Sequence, residues 1–120
     1  MKKTFFIYLS LIVSILFASC GGNEGASISR AGIMSEDYVE EKLMYPEEVV
    51  FNDDIRGEDL GNNKFKVLRK FTAKNTFGVK CSYVYKAIMV YSGNGEWVEP
   101  SNWTCIELVI EDVATGKQYR

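Results

Sequence analysis

The chain has 120 residues, 47% of them hydrophobic and 25% charged, with a formal net charge of −2. That length suits one domain. The charged fraction excludes a multi-span membrane protein, and the apolar fraction excludes global disorder. The sequence has no histidine, which removes Ser-His and Cys-His nucleophile pairs and histidine metal sites together. A net negative chain is also a poor candidate for a nucleic-acid binder.

The first segment reads as targeting rather than structure. Lys2 and Lys3 form a positive end, and residues 5–17 are apolar apart from Ser10 and Ser14. Ala18 and Ser19 are small, and Cys20 follows. A run of this length is short of the roughly 20 apolar residues that cross a bilayer. The stretch Leu16-Phe17-Ala18-Ser19-Cys20 resembles the lipobox of bacterial lipoproteins, with Phe17 where that family usually has Leu. The resemblance implies removal of residues 1–19, lipid on the Cys20 sulfur and its new amino terminus, and a place on the cell envelope, at the outer membrane. Losing Lys2 and Lys3 leaves twelve cations against sixteen acids, a net of −4. Residues 20–30 then read as the lipidated cysteine and a flexible Gly-rich tether.

Residues 31–112 read as a single α+β domain, and 113–120 as a polar tail with a turn at Thr115-Gly116. Ala31, Met34, Tyr38, Val39 and Leu43 fall on one helical stripe, with Glu36, Asp37, Glu40 and Glu41 mostly away from it. Ser35 before Glu36-Asp37 fits a helix cap, and Pro46 disfavours helix at Tyr45. Residues 48–52 read as a short strand and 52–63 as a polar connection. Three further strands follow at 65–75, 79–91 and 103–110. Thr76-Phe77-Gly78 fits a three-residue hairpin loop with Gly78 in the left-handed position. The expected architecture is one N-terminal helix on a curved antiparallel meander of about four strands.

The hairpin loop sets the register. Asn75 lies opposite Val79, so Ala73 faces Cys81, Phe71 faces Tyr83 and Val67 faces Ala87. Odd-numbered residues then share the core face, from Phe65 through Tyr91, and the last strand is expected to add Ile106, Leu108 and Ile110. Arg69, opposite Tyr85, is the misfit, which marks a sheet bend or a guanidinium lying along an aromatic ring. Lys66, Lys70, Lys74, Lys80 and Lys86 are all even-numbered and make the outer face basic. Cys81 is expected inward near the hairpin tip and Cys105 outward at the other end. Bridged cysteines need Cα atoms within about 7 Å, so both are expected as free thiols.

Charge is segregated along the chain. Residues 36–59 hold ten acids against Lys42 and Arg56, a net of −8, whereas residues 64–86 hold six lysines and Arg69, a net of +7. The basic stretch suits a solvated strand face or a patch for an acidic partner such as lipid headgroups, a glycan or another protein. Phe77 and the loop holding Gly93, Trp97 and Trp103 are candidate contacts for a glycan or protein, since exposed aromatics anchor interfaces. The plain alternative is that Trp97 and Trp103 close the open end of the core.

No catalytic residue, metal site or cofactor is expected. A calcium loop starting at Asp54 fails because Arg56 sits where an acid belongs. A pocket converging Asp53, Asp54, Glu58 and Tyr85 would be needed for an enzymatic reading. Asn102-Trp103-Thr104 matches a glycosylation sequon, accidental in a bacterial lipoprotein. Leu43-Met44-Tyr45-Pro46, Asn75-Thr76-Phe77-Gly78-Val79-Lys80 and Ser101-Asn102-Trp103 resemble small bacterial exported or lipid-anchored domains, similar to cystatin-like folds. That resemblance implies a helix on an antiparallel sheet and carries no catalytic residues. The expected function is therefore a lipid-anchored, non-catalytic domain with a structural or interaction role. Its partners would be the membrane and possible envelope proteins or glycans, with no nucleic acid.

Overall fold

A computed structural model describes residues 26–120. The expected signal segment, Cys20 and the tether up to residue 25 lie outside the described residues. Among the described residues the fold is α+β, with one α-helix, α1 (Ile28–Glu40), laid on an open antiparallel sheet. The strands are β1 (Val50–Phe51), β2 (Arg56–Gly61), β3 (Lys64–Lys74), β4 (Lys80–Tyr91), β5 (Trp103–Asp112) and β6 (Gln118–Tyr119). They pair in the order β1-β3-β4-β5-β6, and β2 also pairs with β3.

The central hairpin has the register that its loop length dictates. Ala73 faces Cys81, Phe71 faces Tyr83, Arg69 faces Tyr85 and Val67 faces Ala87. Gly78 takes a φ of 77°, where a Cβ is disfavoured. The Asn75 side-chain oxygen accepts from the N–H groups of Phe77 and Val79 at 2.9 and 3.0 Å, which pins the loop. The odd-numbered side chains pack inward around stacked Phe71 and Tyr83, 5.2 Å apart, and around Tyr91 and Trp103, 5.1 Å apart. Met89, Val67 and Ala87 are fully buried.

Two strands beyond the expected four complete the sheet. The connection 52–63 contains β2, which folds back on β3 through Asn62 and Asn63, both in left-handed conformation at φ 55° and 60°. This is the pair of positive φ angles that a two-residue hairpin turn needs, and Asn tolerates it. Every β2 residue is exposed, so no apolar alternation marked it. Gly57 is required there, because a Cβ would stand 1.8 Å from the Lys66 carbonyl oxygen. The tail after Asp112 turns and contributes β6, which pairs with β5 at Ile110 and Glu111.

Three expectations are corrected. The helix begins at Ile28, within the expected tether, and Ser27 caps it by accepting from Arg30 N–H at 3.1 Å. Ser35 is no cap. It is fully buried in mid-helix, and its hydroxyl reaches the Tyr85 hydroxyl at 2.7 Å. On β5 a bulge intervenes between the pairs Ile88–Glu107 and Met89–Cys105. The extra residue reverses the alternation. Ile106 is therefore 57% exposed rather than inward, and Cys105 packs against the core rather than pointing outward. Leu108 and Ile110 face inward as expected.

Both described cysteines are free thiols. Cys105 pairs with Met89, eight residues along β4 from Cys81, or about 26 Å at strand rise. Burial pushes the Cys105 thiol above its ordinary range, which makes it a poor nucleophile at neutral pH.

Candidate functional site

The interior polar cluster decides how the helix sits on the sheet. Arg69 is 6% exposed. Its Nη1 meets Glu36 Oε2 at 2.7 Å, and its Nε donates to the Asn52 carbonyl at 2.7 Å. The guanidinium lies 5.0 Å from the Phe51 ring centroid. The aromatic-ring explanation for Arg69 therefore holds, with Phe51 as the ring. Ser35 donates to the Gly32 carbonyl at 2.7 Å and bonds Tyr85. Desolvation raises the Tyr85 pKa, partly offset by Ser35 and Arg69. Gly32 admits the Ile55 side chain, whose Cγ2 would lie 2.5 Å from any added Cβ. Among the described residues every buried side-chain polar atom has a partner, as a structural network requires.

Of the groups an enzymatic reading would need, that cluster takes up Tyr85 alone. The Tyr85 hydroxyl points at the helix, while Asp54 is an exposed partner of Arg56 at 2.9 Å. Glu58 lies on the outer face, 3.4 Å from Lys66. Asp53, Asp54, Glu58 and Tyr85 therefore do not converge on one pocket. No group of three or more acids, cysteines or histidines suited to a metal occurs among the described residues.

The loop between β4 and β5 is laced shut. Trp103 is 3% exposed and packs on Phe65 and Tyr91. Its indole N–H donates to the Trp97 carbonyl at 2.7 Å. Asn102 donates to the Glu96 carbonyl at 2.8 Å, and Tyr91 donates to the Gly95 carbonyl. Trp97 is partly buried against the core beneath the Arg30 guanidinium, 4.9 Å from its ring centroid. The two tryptophans thus close this end of the core, and Trp103 has no free face for a ligand. Val98, half exposed, is the large apolar side chain that the loop presents.

The outer sheet face is the most distinctive exposed surface. Strand alternation puts Lys66, Lys70, Lys74, Lys80 and Lys86 there, as the even numbering implies. Leu68, Val84 and Val109 lie among them, with Leu68 and Val109 flanking Lys86 across the strands. Lysine stems cover such apolar side chains while the ammonium stays in water. Lys66 meets Glu58, Lys86 meets Glu107 at 3.1 Å, and Lys74 meets Glu48 at 3.6 Å.

Lys70 and Lys80 have no acid within salt-bridge distance among the described residues. Lys74 and Lys80 stand directly opposite one another. A shallow cavity of about 290 Å³ opens where β1 gives way to β2 along β3, lined by Asn52, Asp54, Arg56, Leu68, Lys70 and Val84. Arg56 was not expected on this face. The signal for it was the Asn62-Asn63 turn, which folds residues 56–58 back beside 66–68. Phe77, at the hairpin tip, is 87% exposed. The two hairpin loops lie at opposite ends of β4. No helix among the described residues is long and apolar enough to cross a membrane.

No protein-family model matches the chain, and no curated protein or solved structure matches it.

Proposed function

We propose that the chain is an exported domain held to the cell envelope, at the outer membrane, by lipid on Cys20, without catalytic activity of its own. The observation that carries this reading is the ordered run of Lys2-Lys3, an apolar stretch, Ala18-Ser19 and Cys20. Two or more acyl chains on one residue hold a protein stably on a leaflet, whereas a single chain binds reversibly. The folded part supports a structural or interaction role. Asp54, Glu58 and Tyr85 are engaged in separate contacts, and its polar interior serves to hold helix and sheet together. Growth with a labelled fatty acid tests the anchor. Label should enter the native chain and be lost in Cys20→Ala, and equal labelling of both would overturn it.

A second reading makes the domain a binding module for an envelope protein or glycan. The unpartnered Lys70 and Lys80 favour an acidic partner on the sheet face over one at the closed Gly93-to-Trp103 loop. A cystatin-like inhibitor would bring its two hairpin loops to one end of the molecule. The opposed loops here speak against that use of the fold.

A further inference from the structure

We propose that the hairpin half of the outer sheet face is a second membrane contact, in which Lys70, Lys74 and Lys80 bind anionic lipid headgroups and Phe77 enters the interface beside them. This rests on the reading of Cys20 as the anchor.

Four observations converge on that surface. On the outer face Lys66, Lys74 and Lys86 are matched by Glu58, Glu48 and Glu107, whereas Lys70 and Lys80, both toward the hairpin, have no acid within salt-bridge distance among the described residues. Lys74 and Lys80 face each other across the strands. Like charges so placed oppose the sheet's own pairing; Glu48 offsets Lys74 at 3.6 Å, and Lys80 is left to an external anion. Phe77 and Val79, 87% and 57% exposed, stand next to these lysines. An apolar tip flanked by cations is the chemistry of an interfacial contact on anionic lipid. The acids Glu36, Asp37, Glu40 and Glu41 belong to the helix side, so an anionic surface attracts the sheet and repels the helix.

The chain length outside the fold permits this orientation. Cys20 precedes the Ser27 cap by seven residues, which span at most about 25 Å when extended. Packed layers are spaced by about 10 Å. The helix begins at the Trp97 end, where Arg30 lies over that ring, so the leash can pass the sheet edge when the outer face lies flat along the leaflet, with the hairpin half at the far end from the anchor. So short a tether also keeps the face at high effective concentration near the lipid.

The test uses the full lipid-modified protein, reconstituted in vesicles of phosphatidylcholine alone or mixed with phosphatidylglycerol. Phe77→Trp adds a reporter at the tip, read against the parent protein, with brominated lipid as quencher. The protein should float with both vesicles, and the added indole should be quenched only where phosphatidylglycerol is present. High salt should remove the quenching. Lys70→Glu with Lys80→Glu breaks no internal ion pair, and should weaken the contact by about fivefold or more for each lysine.

Equal quenching in both vesicles, no quenching in either, or indifference to the charge reversal would overturn the proposal. A tip that stays dry on phosphatidylglycerol, but crosslinks to an acidic envelope protein through Lys80, would likewise overturn it. Failure to float with phosphatidylcholine alone would instead refute the anchor. The surface would then be judged by salt-sensitive flotation on phosphatidylglycerol vesicles, whose absence overturns it.

Discussion

Arg69 on β3 pairs with Glu36 of the helix, and Lys86 on the neighbouring β4 pairs with Glu107 of β5, yet the two ion pairs do different work. The first is short, 2.7 Å, with the arginine side chain 5% exposed. The second is 3.1 Å, with both side chains about two-fifths exposed. Inside, removing Glu36 strands the Arg69 charge in a low-dielectric site, while Glu36 keeps part of its surface in water, and the guanidinium is held by Asn52 and Phe51 as well. Outside, water and salt replace whatever is lost. The inner pair positions the helix, and the outer charges remain free to serve a partner.

The comparison is broken most severely by Arg69→Ala. It leaves Glu36 and the Asn52 carbonyl without their cation, and should lower the unfolding free energy by about 3–5 kcal/mol in urea melts. Arg69→Met combined with Glu36→Met should recover much of that loss, because an apolar pair leaves no stranded charge.

An alkaline titration should give the next largest effect. Desolvation first, and then Cys81, push the Tyr83 hydroxyl from its ordinary 10.0 up to about 12. Between those values the folded chain keeps a proton that the unfolded chain releases, so stability falls as pH rises through the window. The loss should total about 2–3 kcal/mol by pH 12, and Tyr83→Phe should remove that component of the slope. Tyr85 is shifted in the same direction. The smallest effect belongs to Lys86→Ala, which should cost at most about 1 kcal/mol, less in high salt. A larger loss would show that the outer face is tied into the fold.

Much of the sheet was legible because its cues are local. The three-residue loop at Thr76-Phe77-Gly78 couples hairpin length to side-chain parity, so the β3–β4 register and the basic outer face follow from numbering. β2 escaped notice because Arg56-Gly57-Glu58-Asp59-Leu60-Gly61 shows no alternation and buries nothing. Cys105 and Ile106 were assigned to the wrong faces because a bulge changes parity without leaving a mark in composition. Ser35 was misjudged for a related reason. A serine before two acids is a good local cap, but its hydroxyl here is taken by Tyr85, fifty residues away. Trp97 and Trp103 were open to two readings, and the hydrogen bond between them favours core closure.

Chain order by itself determined one helix, the long hairpin and the segregation of acid from base, since periodicity and loop length act between near neighbours. Only the tertiary structure decided which acid neutralises Arg69, that Gly32 must admit Ile55, and which lysines are left without a counter-charge. Those outcomes depend on where the helix lands on the sheet and where the β5 bulge falls. They join residues dozens of positions apart, for which no local pattern exists.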